Sequence, residues 1–151
     1  MCVLEKQHFP RFVIGESLLP HCMEFIEEAG FLPAVEAEPS FQFKNGAAFR
    51  RNGRYTTFDF SDKFTPGPGT TFQVPRGQFD KLLADTASTQ GVEIRYGQTV
   101  TAVDLSAEPR LTVADENGQV YSVQAKYLLD ASGFGRVLPR LLQLECPSSL
   151  P

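Results

Sequence analysis

The 151 residues carry 14 Lys and Arg against 18 Asp and Glu, a formal net charge of −4, which excludes general nucleic-acid or anionic-membrane binding, where a basic surface supplies most of the affinity. A composition 42% hydrophobic, 21% charged and 11% aromatic provides a packed core and too little charge for disorder, and the length suits one domain or a piece of a larger one. Cys2, Cys22 and Cys146 are odd in number without CxxC spacing, so neither a disulfide framework nor a zinc site is expected, and the chain reads as cytoplasmic and reduced.

Val3 and Leu4 lead straight into Glu5 and Lys6, like the tail of a strand, with no targeting segment and no run near the roughly 18 apolar residues of a membrane span. From Gly15 the sequence predicts a helix with Ser17 as N-cap, Pro20 in its first turn, apolar residues recurring from Leu19 to Ala29, and Gly30 as its stop. Over residues 41–60 the period changes: Phe41 and Phe43, then Phe58 and Phe60, alternate with polar neighbours, and Asn52-Gly53 predicts a hairpin turn. Thr65 to Gly69 is a Pro/Gly loop, followed by a short strand at Phe72-Gln73-Val74.

A second amphipathic helix is predicted from about Gly77 to Gln90, with Phe79, Leu82, Leu83 and Ala87 on one face and Gly91 at its end. Short β-rich segments follow at 92–96, 99–105, 111–115 and 119–125, with Asn117-Gly118 a second hairpin signal, so that a β-meander is expected over 98–126. Tyr127-Leu128-Leu129 reads as an apolar strand running into Asp130-Ala131-Ser132-Gly133-Phe134-Gly135, and Arg136 to Leu144 as a helix interrupted by Pro139. The class is therefore α/β with an antiparallel portion.

Several residues invite a chemical reading. Gly133-x-Gly135 between a strand and a helix could bring backbone amides to a phosphate, or could be a tight turn with no ligand; Leu138 stands where a third glycine would be. Glu5 at a strand end could accept hydrogen bonds from ribose hydroxyls, or be a solvated charge. His8 and His21 share no metal or triad spacing and read as ordinary histidines, and Arg50, Arg51 and Arg54 as a solvated hairpin tip.

The run Val3-Leu4-Glu5-Lys6-x-x-Phe9-Pro10-Arg11-Phe12-x-Ile14-Gly15-Glu16-Ser17-Leu18-Leu19-Pro20 resembles the segment after the first βαβ turn of FAD-dependent halogenases. These belong to a flavoprotein superfamily shared with aromatic hydroxylases and geranylgeranyl reductases. Phe41-x-x-Lys44-x-Gly46-x-x-Phe49, Phe72-Gln73-Val74-x-Arg76-x-x-Phe79-Asp80-x-Leu82-Leu83 and Asp130-Ala131-Ser132-Gly133-Phe134 resemble the same family in the same order, over nearly the whole chain. The resemblance implies a partial Rossmann-like FAD-binding fold over 1–151, with 40–75 a hairpin segment from the substrate-binding side. It implies FAD contacts at Glu5 (adenosine ribose), Arg11, Gly15, Glu16 and Ser17 (beside the flavin), Arg76, Val100 (adenine), and Asp130, Ser132 and Gly133.

The resemblance also implies that Lys44 receives hypohalous acid formed at the flavin and passes an electrophilic halogen to an aromatic substrate. If Lys44 is not so placed, hydroxylation or reduction of a double bond is the nearer outcome. A lysine on a hairpin strand is otherwise a solvated charge, and Phe41, Phe43 and Phe49 could wall a water-poor tunnel or be plain core. Halide and a separate flavin reductase are the further expected partners. The family's GxGxxG turn and its C-terminal Gly-Asp segment have no counterpart in these residues, and there is no Trp. The chain is accordingly expected to bind FAD weakly and to be inactive in isolation, as a shortened reading frame or one piece of a split protein. A non-catalytic, partner-dependent fragment is the rival reading.

Overall fold

The computed structural model describes residues 1–146, and the backbone divides them into two units: residues 9–92, and residues 1–8 together with those from Glu93 onward.

The first of these begins with an extended loop and turns helical only at α1 (His21–Glu28). Pro20 takes the N-cap position without a side-chain cap, because the residue before a proline is pushed out of the helical region and Leu19 cannot join the helix. Ser17 is therefore not the N-cap; it lies in extended backbone and bridges Gln73. Gly30 stops the helix in the left-handed region at φ +73°. A short second helix, α2 (Leu32–Glu36), has Pro33 in its first turn and was not signalled by the apolar period.

The aromatic segment 41–60 is divided between two pairings rather than forming one hairpin. β2 (Gln42–Lys44) pairs antiparallel with β5 (Thr71–Gln73), while β3 (Gly46–Arg51) pairs with β4 (Arg54–Asp59) across the Asn52-Gly53 turn. α3 (Arg76–Thr89) follows, and Gly91 ends that region at φ +88°. Met23, Ile26, Val35, Phe41, Val74 and Phe79 form the core of this unit, with Leu18, Phe31, Leu32, Phe72, Leu82 and Leu83 packed against them. Each such side chain, fully buried, contributes about 1.5–3 kcal/mol. Phe41 is thus core, stacked edge-on against Phe79 at 5.8 Å.

In the second unit β1 (Cys2–Leu4) runs parallel to β6 (Glu93–Arg95). β7 (Thr99–Asp104), β8 (Arg110–Ala114) and β9 (Val120–Gln124) form an antiparallel meander around buried Leu111 and Val113, with a bulge between Val100 and Ala102. Asp115 accepts hydrogen bonds from the Asn117 and Gln119 N–H groups, tying the turn at Asn117-Gly118.

Two terminal expectations are corrected. Tyr127-Leu128-Leu129 is not a strand, because it joins no backbone ladder, and Tyr127 and Leu129 are each 87% exposed. The helix after it is shorter than 136–144: a 3₁₀ turn (Gly133–Gly135) precedes α4 (Val137–Leu141), with Arg136 left-handed between them. Pro139 falls in the first turn of α4, where its missing N–H has no intrahelical partner to lose.

Candidate functional site

In the unit formed by residues 9–92 the site is built around β5. Its one edge carries β2; its other receives the loop, with the Val74 N–H donating to the Glu16 carbonyl at 2.8 Å and the Leu18 N–H to the Phe72 carbonyl at 3.1 Å. Lys44 is opposite Thr71 in the β2–β5 register, and its side chain reaches the loop beyond β5. Its ammonium donates to Ser17 Oγ at 2.5 Å and to the Leu18 carbonyl at 3.3 Å, and lies 5.0 Å from the centre of the Phe60 ring. Lys44 is half-buried, and its amine is held by two oxygens and an aromatic face.

The ring beside Lys44 is Phe60, which the alternating pattern placed in a strand without a role. Phe60 leads outward to Phe58 at 5.6 Å and from there to Phe49 at 5.9 Å, a row of rings along one face of the β3–β4 hairpin. Phe43 packs edge-on against Phe72, and Arg50, Arg51 and Arg54 are exposed at the hairpin tip.

The other end of the loop is held by α3. Arg76 donates from Nη1 to the carbonyls of Ile14 (3.1 Å) and Gly15 (3.4 Å), and grips Asp80 from Nε (2.9 Å) and Nη2 (3.3 Å). Arg11 Nη2 lies 4.0 Å from the same carboxylate. Gly15 has φ +103°, and a Cβ there would stand 3.1 Å from Arg76 Nη1; only glycine suits both the backbone angle and the close approach. The Gly15 N–H donates to the Glu16 carboxylate at 3.1 Å. Arg11, Gly15, Glu16, Ser17, Lys44 and Arg76 are thus one connected group. Asp80 joins them as a residue to which sequence reasoning gave no role, although its i,i+4 spacing from Arg76 on a helix was a usable signal.

The remaining expected site residues, Glu5, Val100, Asp130, Ser132 and Gly133, fall in the other unit. Glu5 follows β1; its N–H donates to the Arg95 carbonyl at 2.9 Å, and its carboxylate accepts the Gln7 N–H at 2.9 Å. Val100 pairs with Val113 in the meander. Asp130 accepts the N–H groups of Ser132 and Leu138, each at 2.9 Å, and Ser132 Oγ accepts that of Val137 at 2.9 Å. The Asp130 carboxyl is held below its usual range, first by the Ser132 side chain and then by the Leu138 and Ser132 backbone N–H groups. The first free N–H groups of α4 are therefore taken by side chains of the same turn, with Gly133 supplying φ +56°.

His8 and His21 make separate contacts, His8 with Glu116 at 2.9 Å and His21 with Glu24, three residues on, at 3.1 Å. Among the described residues no cluster of His, Cys, Asp and Glu could hold a metal ion, and no helix is long and apolar enough to cross a membrane.

Within the unit of residues 9–92, Arg11 and Arg76 bring two guanidinium groups to one carboxylate at Asp80, a donor chemistry that fits the anionic groups of a dinucleotide. In the other unit, Glu5 follows a strand of a parallel pair, a position from which a carboxylate can accept from ribose hydroxyls.

Residues 3–148 match the family model described as FAD binding domain. The chain is 33% identical over 134 residues to a tryptophan 2-halogenase of Chondromyces crocatus, covering 87% of this chain and 25% of that protein. A flavoprotein/dehydrogenase structure from Cytophaga hutchinsonii superposes with a TM-score of 0.93 at 50% identity, covering 99% of this chain and 37% of that one. The anhydrotetracycline hydroxylase OxyS from Streptomyces rimosus gives 0.77 at 27% identity, over 99% and 30%. The chain therefore spans between a quarter and two-fifths of the length of these relatives.

Proposed function

The chain belongs to the FAD-binding-domain family, whose cofactor is FAD, and from that premise we propose that it forms part of a halogenase or monooxygenase acting on an aromatic substrate. The observation that carries this reading is the tethered amine: Lys44 is fixed by Ser17 Oγ and the Leu18 carbonyl beside the Phe60 ring. FAD, when bound and reduced, supplies the oxygen activation that turns halide into hypohalous acid. Lys44 then orients the hypohalous acid by hydrogen bonding and presents its halogen to an electron-rich ring, while Phe60 keeps water from one side of the amine.

In this proposal Glu5 accepts hydrogen bonds from the adenosine ribose and Val100 borders the adenine. Arg11, Gly15, Glu16, Ser17 and Arg76 line the flavin side, and the Asp130, Ser132 and Gly133 turn lies next to the nucleotide. The likeness to a tryptophan halogenase supports halogenation of an aromatic ring; the likeness to OxyS supports hydroxylation as a second reading.

Incubation of the enzyme of which this chain forms part with FAD, a flavin reductase, NADH, oxygen, bromide and a panel of indoles and phenols, with products read by mass spectrometry, tests the proposal. A brominated ring is the expected product. Hydroxylated rings in the presence of bromide favour the second reading, and the absence of either product overturns both.

A further inference from the structure

Lys44 is held by a loop, and a loop holds an amine in place only if it is itself fixed. Glu16, Ser17 and Leu18 are anchored at the edge of β5 and Val74, but Ile14 and Gly15 before them are exposed and make no such backbone pairing with β5. The carbonyls of Ile14 and Gly15 are taken by Arg76. A lone arginine side chain is flexible and could satisfy its donors in water. Arg76 is instead gripped by Asp80 one helical turn later, through two parallel N–H···O bonds of 2.9 and 3.3 Å, and the Asp80 side chain is only 12% exposed.

Asp80 also lies 4.0 Å from Arg11, at the start of the same loop. α3 comes close enough for this because residue 77 is glycine: a Cβ there would stand 3.0 Å from the Arg11 carbonyl oxygen. One carboxylate on a rigid helix thus fixes both the entry of the loop, at Arg11, and its middle, through Arg76.

We propose that Asp80 is a positioning residue for Lys44: its carboxylate locks Arg76 and steadies Arg11, which fixes the Ile14–Ser17 loop, and the fixed Ser17 hydroxyl receives the Lys44 ammonium. The proposal rests on Lys44 being the reactive amine of the function proposed above, but the geometry it concerns is measurable without turnover. Removing the Asp80 charge frees Arg76, loosens the loop and releases Lys44, although Asp80 never touches Lys44.

The test is the rate at which each lysine of the purified protein is acetylated by an N-hydroxysuccinimide ester, read residue by residue by mass spectrometry. In Asp80→Asn the Lys44 rate rises about tenfold, the scale of one charge-assisted hydrogen bond lost, while Lys63 and Lys126 keep their rates. Asp80→Glu, which restores the carboxylate, returns Lys44 toward the wild-type rate. A Lys44 rate unchanged in Asp80→Asn overturns the proposal, as does a rise that Asp80→Glu fails to reverse.

If Asp80→Asn unfolds, seen as faster acetylation of every lysine, Arg76→Lys is read instead. It keeps the charge but loses the fork; a selective rise at Lys44 supports the proposal and an unchanged rate overturns it. If the enzyme of which this chain forms part makes no halogenated product, the functional reading of Lys44 is defeated and the acetylation result is left to decide the role of Asp80.

Discussion

At the scale of single residues, the contacts of Lys44 separate a tethered amine from a surface charge. An exposed lysine trades one set of water hydrogen bonds for another, and its pairings contribute little. Lys44 instead has two protein oxygens and a ring around its ammonium, and each partner comes from a segment distant in sequence. Glu5 is the second residue to which the proposed function gives a role. A carboxylate accepting from ribose hydroxyls makes charge-assisted hydrogen bonds worth about 1.5–3 kcal/mol, so Glu5→Gln is expected to weaken FAD binding by about tenfold or more. Fluorescence titration of the enzyme of which this chain forms part with FAD measures this; unchanged affinity would remove Glu5 from the nucleotide site.

At the scale of elements, local signals were legible and distant pairings were not. Phe79, Leu82 and Leu83 on one face and Gly91 at the end define α3 from sequence alone, and Asn52-Gly53 and Asn117-Gly118 are both tight turns. The β2–β5 pairing joins segments 27 or more residues apart, so no local pattern encodes it, and without it the loop edge that takes Ser17 could not be foreseen. Ser17 looked like a helix cap because Ser suits that position, but Pro20 moves the helix start to His21 and the edge of β5 takes the serine instead. Of the site, the loop, Lys44 and Arg76 were legible through motif resemblance, whereas Phe60 and Asp80 depend on tertiary packing.

The Asp130 turn yields a prediction at this scale. Its carboxyl is held below the usual range, so its contribution is present in full above the unfolded value of about 3.9 and is lost as pH falls through the lower folded value. Asp130→Ala is expected to destabilise the second unit by about 1 kcal/mol, the worth of a helix cap, in a denaturant titration at pH 7. The difference from wild type should shrink on acidification below about pH 4; a pH-independent difference would show that the carboxylate is not what holds α4.

At the scale of the whole molecule, the family assignment and the tethered amine support the same proposed function. Under the proposed function the redox chemistry belongs to the cofactor, and the chain's part is orientation, exclusion of water and a fixed amine. The most direct measurement compares the enzyme of which this chain forms part with its Lys44→Ala variant under turnover with FAD, a flavin reductase, NADH, oxygen, bromide and an electron-rich aromatic ring. The account predicts that brominated product falls by about 100-fold or more, the scale of a lost positioned proton donor, while NADH consumption continues. Brominated product formed at the wild-type rate by Lys44→Ala would contradict it.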